Sequence, residues 1–208
     1  MLVSAYLSQA DAVTVISQKV KKDLSQFLDS KIHVIYNPVR DVYYDKNIKK
    51  ENPFLFVGRA NDPNKRFNLI KESFSKIEDG EKKIMVCGEE DPGFGNYLGY
   101  VSNKKLNELY NSSKYLLLPS KYEGIGLPMI EAMICGTIPI TCTDNETAKE
   151  FLPSDFMCES NADSILKHIE NLDTNYKVKQ KMAFTLAEKY KEQFNKTRIA
   201  KNILSILK

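Results

Sequence analysis

Short apolar runs alternate with amphipathic segments along most of the 208-residue chain. The runs predict strands, and the segments with apolar side chains every three or four residues predict helices. The predicted strands are 12–17, 31–39, 53–58, 82–88, 96–101, 114–120, 137–142 and 155–158. The predicted helices are 18–28, 64–77, 103–113, 126–136 and about 163–172, with more helical sequence up to residue 208. This alternation predicts an α/β fold: a Rossmann-like parallel sheet with helices on both faces.

The segment DVYYDKNIKKEN (41–52) is polar and has no periodicity, so we interpret it as a linker. It separates a strand–helix–strand unit at 1–40 from a larger domain at 53–208. Parallel sheets bind ligands beyond the carboxyl ends of their strands. Candidate chemistry should therefore lie in the loops that follow the strands of the larger domain.

The first of these loops, VGRANDPNKRF (57–67), has features suited to a diphosphate. Gly58 permits a sharp turn and leaves room for a ligand beside the backbone. Arg59 offers a planar fork for phosphate oxygens, and Lys65 offers a mobile point charge. Two exposed surface cations would produce the same pattern, so this loop alone is weak evidence. The sequence has no Walker loop, and Gly-Phe-Gly at 93–95 is interpreted as a turn.

The segment YEGIGLPMIEAMICG (122–136) carries the stronger signal. Glu123 follows a predicted strand, and Gly124 and Gly126 let the next amides point into the cleft. The helix that begins near Leu127 directs its amino end, which favours an anion, to the same place. Glu131, one turn into that helix, is expected to accept hydrogen bonds from a vicinal diol such as a ribose.

The charge composition excludes little and draws attention to the arginines. A net charge of +3 gives no argument for nucleic acid or for an acidic membrane as partner. Among the basic residues, 26 lysines stand against 4 arginines, at positions 40, 59, 66 and 198. A bias toward lysine explains that ratio, and it makes each arginine that is present of interest.

The four cysteines contain no Cys-x-x-Cys pair, and we expect buried free thiols in a reducing compartment. The amino-terminal sequence is too short and too polar for a signal peptide. No apolar run approaches the length of a transmembrane segment. The expected location is the cytoplasm, with peripheral association at the inner membrane face left open.

The quoted residues resemble a known family. EGIGLPMIEAMICGTIPI (123–140) looks like the E-x7-E segment of retaining glycosyltransferases of the group 1 family, which have the GT-B architecture of two Rossmann-like domains. VGRANDPNK (57–65) is similar to the donor-phosphate loop of that family. The similar segments run from about residue 10 to about residue 150. The resemblance implies that 53–208 is the carboxyl-terminal donor domain and that 1–40 is a remnant of the amino-terminal acceptor domain.

The resemblance also implies roles for single residues. Arg59 and Lys65 would hold the diphosphate of the donor and stabilise the leaving group, and Glu123 would contact the transferred sugar. Glu131 would bind the ribose. The remaining implied contacts are Gly58 beside the phosphates, Gly124, Ile125, Gly126 and Leu127 toward sugar and phosphates through their amides, and Tyr100 and Val101 beside the base. The donor would be a nucleoside-diphosphate sugar, of UDP or GDP type, with no cofactor and no metal.

The sequence departs from the family pattern in three places. Arg66 stands where family members usually have glycine, and CTDNET (142–147) replaces the usual Gly-Gly. Most of the first domain, which carries the acceptor site in the family, has no counterpart. His33 and His168 are expected to be structural or surface residues rather than catalysts.

Several functions therefore stay open at this point. The first is a metal-independent, retaining hexosyltransferase whose acceptor, a glycan, a lipid or a protein, is unknown. The second is a stand-alone nucleotide-sugar-binding module, or the donor-binding subunit of a split enzyme, with a partner chain or a homo-oligomer that supplies the acceptor site. An epimerase would need an acid–base residue that the cleft does not offer, and a pyridoxal-dependent phosphorylase would be far longer.

Overall fold

The structure, a computed structural model, describes residues 9–28 and 31–207. Its strands are β1 (Val13–Val15), β2 (Ile32–Val34), β3 (Asn52–Val57), β4 (Ile84–Cys87), β5 (Asn96–Tyr97), β6 (Ser113–Leu118), β7 (Ile138–Cys142) and β8 (Met157–Cys158). Its helices are α1 (Gln18–Leu24), α2 (Phe67–Phe74), α3 (Asn103–Ser112), α4 (Leu127–Ile134), α5 (Ala162–Thr174), α6 (Tyr176–Gln193) and α7 (Lys196–Ile206).

Six strands form one parallel sheet in the order β5-β4-β3-β6-β7-β8. The chain builds outward from β3 to β5, then crosses back through α3 to place β6 on the other side of β3. The neighbouring strands β3 and β6 therefore lead into connections that run in opposite directions, and a crevice opens at their carboxyl ends. The predicted Rossmann-like α/β fold is confirmed.

The core lies on both sides of the central strands. Leu55, Phe56 and Leu116 are fully buried. Helix α2 packs against α5, and α4 packs against α6 and α3. Strands covered in this way have near-continuous apolar sequences, which is why short apolar runs located them well.

Local backbone geometry shortens two predicted elements. The helix predicted from residue 64 begins at Phe67, because Arg66 adopts a left-handed conformation with φ 50° after a short 3₁₀ turn. The third strand of the larger domain covers only Asn96–Tyr97. Gly95 and Gly99, at φ 85° and φ 70°, turn the chain on either side of it.

The strand–helix–strand unit forms a separate two-stranded parallel sheet, β1–β2, which is tied to the larger sheet. The ring of Tyr36 packs against Phe151 and Phe194, with centroids 5.8 and 5.0 Å away. The Tyr36 hydroxyl donates to Glu150 Oε1 at 2.6 Å, and Glu150 Oε2 accepts from the Gln18 amide at 2.9 Å. These contacts anchor the start of α1 and the segment after β2 to the larger domain. The division at 1–40, 41–52 and 53–208 stays a prediction.

The linker and the helical tail also contact each other. The Val39 amide donates to the Phe194 carbonyl at 3.1 Å, and Lys196 pairs with Asp41. The tail therefore packs back across the linker. Farther along, the ammonium of Lys50 donates to the carbonyls of Tyr110 and Cys135.

Other expectations concern isolated residues. The four cysteines are free and buried, as predicted. His33 lies in β2, and His168 is half-buried in α5, where burial lowers its pKa. In the described ranges, 9–28 and 31–207, no helix is both long and apolar enough to cross a membrane.

Candidate active site

A cavity of about 320 Å³ opens at the carboxyl ends of β3 and β4. Several predicted site residues line it: Gly58, Arg59, Tyr100, Val101, Leu127 and Glu131. The same cavity is lined by Arg40 at the end of the first unit, by Tyr43 of the linker, by Gly88 and Glu89 after β4, and by Asn103 and Leu106 of α3. Leu127, Pro128 and Glu131 of α4, the helix that follows β6, also line it, so the cavity lies next to the crevice that the strand order specifies between β3 and β6.

The loop after β3 supplies the positive end of the cavity. Arg59 is exposed, and its guanidinium donates to Asp62 Oδ2 at 2.9 Å, an exposed pair that contributes little stability. Gly58 keeps this end open to the backbone. Glycine at position 88 lets the loops after β3 and β4 approach closely, since a Cβ there would lie 2.2 Å from the Gly58 carbonyl oxygen.

Lys65 and Glu123 form an ion pair beside the cavity. Lys65 Nζ lies 2.7 Å from Glu123 Oε1, and the two side chains are only 18% and 10% exposed. The stem of Lys65 passes close to Gly58, because an added Cβ on Gly58 would lie 3.7 Å from Lys65 Cε. The phosphate loop after β3 and the loop after β6 therefore meet through this pair, and each charge neutralises the other.

The turn between Glu123 and α4 is built from tightly constrained glycines. Gly126 adopts φ 76° and precedes α4, whose amino end has no side-chain cap among the residues the structure describes. Gly124 lies against Ile16 of the first unit, where a Cβ would come within 2.7 Å of Ile16 Cδ1. Ile125 is 3% exposed and packs into the core, so only its backbone is available to a ligand.

Glu131 is the most perturbed acid of the cavity. It is 5% exposed and accepts a hydrogen bond from the Tyr110 hydroxyl at 3.1 Å. Burial raises its pKa from 4.5 to about 7, opposed by the hydrogen bond from Tyr110 and the charge of Arg40. Burial and the neighbouring Glu131 carboxylate together raise the pKa of Tyr43 to about 12. The carboxyl group at this position is thus poised between its neutral and charged forms at neutral pH.

The predicted site residues thus fall into two groups. Gly58, Arg59, Tyr100, Val101, Leu127 and Glu131 share the cavity, with Tyr100 85% exposed at its rim. Lys65, Glu123, Gly124, Ile125 and Gly126 lie outside its lining. Lys65 and Glu123 form the ion pair beside it.

Sequence reasoning missed two contributions. Arg40 and Tyr43 reach the cavity from the two sides of the predicted boundary between the first unit and the linker, and the count of four arginines was the one signal that singled out Arg40. Arg66, the departure from the family pattern, is held by both carboxylate oxygens of Asp144 at 2.9 and 2.6 Å. Asp144 belongs to the second departure, CTDNET, so the two unusual segments contact each other.

The segment that carries the two glutamates matches a known protein family. Residues 95–191 match the family described as glycosyl transferases group 1, a range that contains both Glu123 and Glu131. Close to half of the chain thus matches this family. The group 1 resemblance proposed from the sequence is confirmed, and the sheet described above is the Rossmann-like half of a GT-B glycosyltransferase.

Similar proteins extend the comparison. The O-antigen chain mannosyltransferase RfbU of Salmonella typhimurium is 31% identical over 182 residues, which cover 77% of this chain and 51% of that protein. The chain therefore spans about half the length of this relative. The structure of sucrose-phosphate synthase from Thermosynechococcus elongatus superposes with a TM-score of 0.84 at 19% identity, over 100% of this chain and 60% of that one. Anabaena HepE in complex with UDP-glucose gives 0.80 at 13% identity, over 99% and 66%.

Proposed function

We propose that this group 1 glycosyltransferase chain binds a nucleoside-diphosphate sugar and transfers the sugar, a hexose, to an acceptor with retention of configuration and without a metal. The observation that carries the proposal is the convergence of Arg59 and Glu131 on one cavity, with the Lys65–Glu123 pair beside its positive end. The donor is of UDP or GDP type. One structure of similar fold, Anabaena HepE, is a complex with UDP-glucose, which is consistent with a donor of this class.

The proposed donor lies along the cavity in a fixed direction. Its diphosphate lies between Arg59 and the uncapped amino end of α4, where a guanidinium and backbone amides offer hydrogen bonds to phosphate oxygens. Its ribose contacts Glu131, and its base lies toward Tyr100 and Val101. The sugar then extends toward the Lys65–Glu123 pair.

The residues assist the reaction mainly through electrostatics. Negative charge develops on the departing diphosphate while positive charge develops at the sugar carbon. Arg59, Lys65 and the amides at the start of α4 stabilise the leaving group. Glu123 orients the sugar hydroxyls. Lys65 donates one hydrogen bond to Glu123, and its ammonium has further N–H donors for the phosphate. Two cations and a helix end make this a route that needs no metal.

A thermal-shift panel with UDP, GDP, ADP and TDP sugars tests the proposal. At a ligand concentration of about 100 times Kd, binding stabilises the protein by roughly 2.7 kcal/mol, or about 5–10 °C for a chain of this size. We expect a rise with at least one donor and no rise for Arg59→Ala or Lys65→Ala. Each shift is measured from the variant's own unliganded melting temperature, because Lys65→Ala leaves Glu123 buried without its partner.

The controls carry the same substitutions at residues outside the lining of the cavity. Arg198→Ala and Lys191→Ala remove exposed cations paired with Glu192 and Glu188, and both should keep the full shift. A panel with no shift for the wild-type chain refutes the proposed function. Sugar transfer or donor hydrolysis by the isolated chain would separate an enzyme from a binding module.

The two glutamates have separable roles under this proposal. Glu131→Ala should weaken binding of the nucleotide itself. Glu123→Ala should leave nucleotide binding largely intact and remove discrimination between sugars. The reverse pattern would exchange the two assignments.

A further inference from the structure

One wall of the cavity comes from the segment that joins the first unit to the large sheet, and not from that sheet. Arg40 and Tyr43 line the cavity together with Glu131. The Tyr43 ring is buried against Tyr110, at 5.7 Å between centroids, which fixes the linker at this point. The same Tyr110 donates to Glu131, so the linker wall and the proposed ribose site share one support.

The guanidinium of Arg40 is held in place and still exposed. Its Nη1 donates to Asn103 Oδ1 at 3.2 Å, and the Tyr43 hydroxyl donates to the same oxygen at 3.3 Å. Within residues 9–28 and 31–207, Asn103 is the one hydrogen-bond partner of the Arg40 side chain. A guanidinium has five N–H donors, so most of them remain available to a ligand.

The placement of Arg40 identifies which half of the ligand it meets. Asn103 begins α3 and lies beside Val101 at the predicted base end, whereas Arg59 lies at the predicted phosphate end. The positive charge of Arg40 acts on Glu131, the residue we assign to the ribose, and favours its ionised form. Arg40 therefore lies between the base end and the ribose site.

The choice of arginine at this position adds a chemical argument. The chain uses 26 lysines and 4 arginines, yet Arg40 and Arg59 both line this cavity. Arginine differs from lysine in presenting a planar, rigid set of donors, which suits pairs of acceptor atoms on a flat ligand. Nucleobases offer such acceptors, for example O6 and N7 of guanine.

We propose that Arg40 is a nucleoside-binding residue: the end of the first unit contributes it, Asn103 orients it, and it donates to acceptor atoms of the base or ribose of the donor. The inference rests on the proposed function and adds a contact from outside the large sheet. It assigns Arg40 to the nucleoside and not to the diphosphate. Uracil carbonyl oxygens and guanine O6 and N7 are equivalent in this chemistry, and the experiment distinguishes them.

Isothermal titration calorimetry with UDP, UMP, GDP and GMP tests the inference. Arg40→Ala should weaken the preferred nucleoside diphosphate and its monophosphate by the same factor, about tenfold or more, as expected for a lost hydrogen bond to a charged group. Arg40→Lys keeps the charge without the fork and should recover only part of the loss. Arg59→Ala should weaken the diphosphate more than the monophosphate, and Arg198→Ala should change neither.

Each other outcome has a defined meaning. Binding by Arg40→Ala within about twofold of wild type, or a loss confined to the diphosphate, overturns the inference while the proposed function stands. If the wild-type chain binds none of the four nucleotides, both the inference and the proposed function are refuted. The unliganded melting temperature of Arg40→Ala should stay within about 2 °C of wild type, because the residue is exposed and loses one hydrogen bond. A large fall would assign Arg40 a structural role and also overturn the inference.

Discussion

Replacing Glu131 with glutamine should make the protein more stable and a poorer binder at the same time. In the folded chain burial raises the pKa of Glu131 from 4.5 to about 7. Between those values the folded protein keeps a proton that the unfolded chain releases, so the free energy of unfolding falls as pH rises. At about 1.4 kcal/mol per pH unit, the whole interval corresponds to about 3 kcal/mol. Below pH 4.5 the penalty is absent, and above about pH 7 it is complete.

Glutamine removes the titration and keeps an oxygen that can accept from the Tyr110 hydroxyl. The stability difference between Glu131→Gln and wild type should therefore grow in favour of the variant by about 2–3 kcal/mol from pH 5 to pH 8. Urea unfolding at the two pH values measures it. Glu170→Gln, an exposed change on α5, should show no such growth.

Binding should change in the opposite direction. A neutral amide accepts hydrogen bonds from ribose hydroxyls more weakly than a carboxylate does, so the nucleotide affinity of Glu131→Gln should fall. A stability difference that is the same at pH 5 and pH 8 would refute the reasoning, because it would mean that Glu131 is ionised throughout. A functional site that retains a destabilising group is the pattern expected where activity and stability compete.

Two further predictions concern the scaffold. Gly126→Ala should lower the free energy of unfolding, measured by urea titration, by about 1–2 kcal/mol or more, since Gly126 has φ 76° and a Cβ would lie 2.2 Å from Met129 Cε. Gly93→Ala is the control: Gly93 has φ 63° but no atom within 4 Å of the added Cβ, so the free energy of unfolding should fall less. Tyr36→Phe and Glu150→Ala should each destabilise by about 1–2 kcal/mol through their 2.6 Å hydrogen bond. A double-mutant cycle should find the pair non-additive, and strictly additive losses would contradict this contact.

The larger domain was predictable because its strands are buried on both faces. The runs that form β3, β6 and β7 consist almost entirely of apolar residues, as strands covered on both faces do. Their alternation with helices already indicates a parallel sheet. The boundaries depended on single dihedral angles. A left-handed Arg66 delays α2 to Phe67, and no sequence rule would assign φ 50° to an arginine.

The site was predictable where the backbone determines it. Arg59 and Glu131 follow strands that end at the same crevice, so their convergence follows from topology. Arg40 and Tyr43 were missed because the polar, aperiodic linker and the residue before it give no indication of what they pack against. The Arg66–Asp144 pair joins residues 78 positions apart, and such a contact exists only in the folded chain.

The Lys65–Glu123 pair has a consequence for which anions the cleft would accept. Because its partly buried ammonium is already balanced, the Lys65 end of the cleft offers little to free phosphate or to other abundant cellular polyanions, which would leave Glu123 without its partner. A ligand that carries hydroxyl groups next to its phosphates could satisfy both partners at once. The neutral Lys65–Glu123 pair would then favour nucleotide sugars over free phosphate and other polyanions that lack hydroxyl groups.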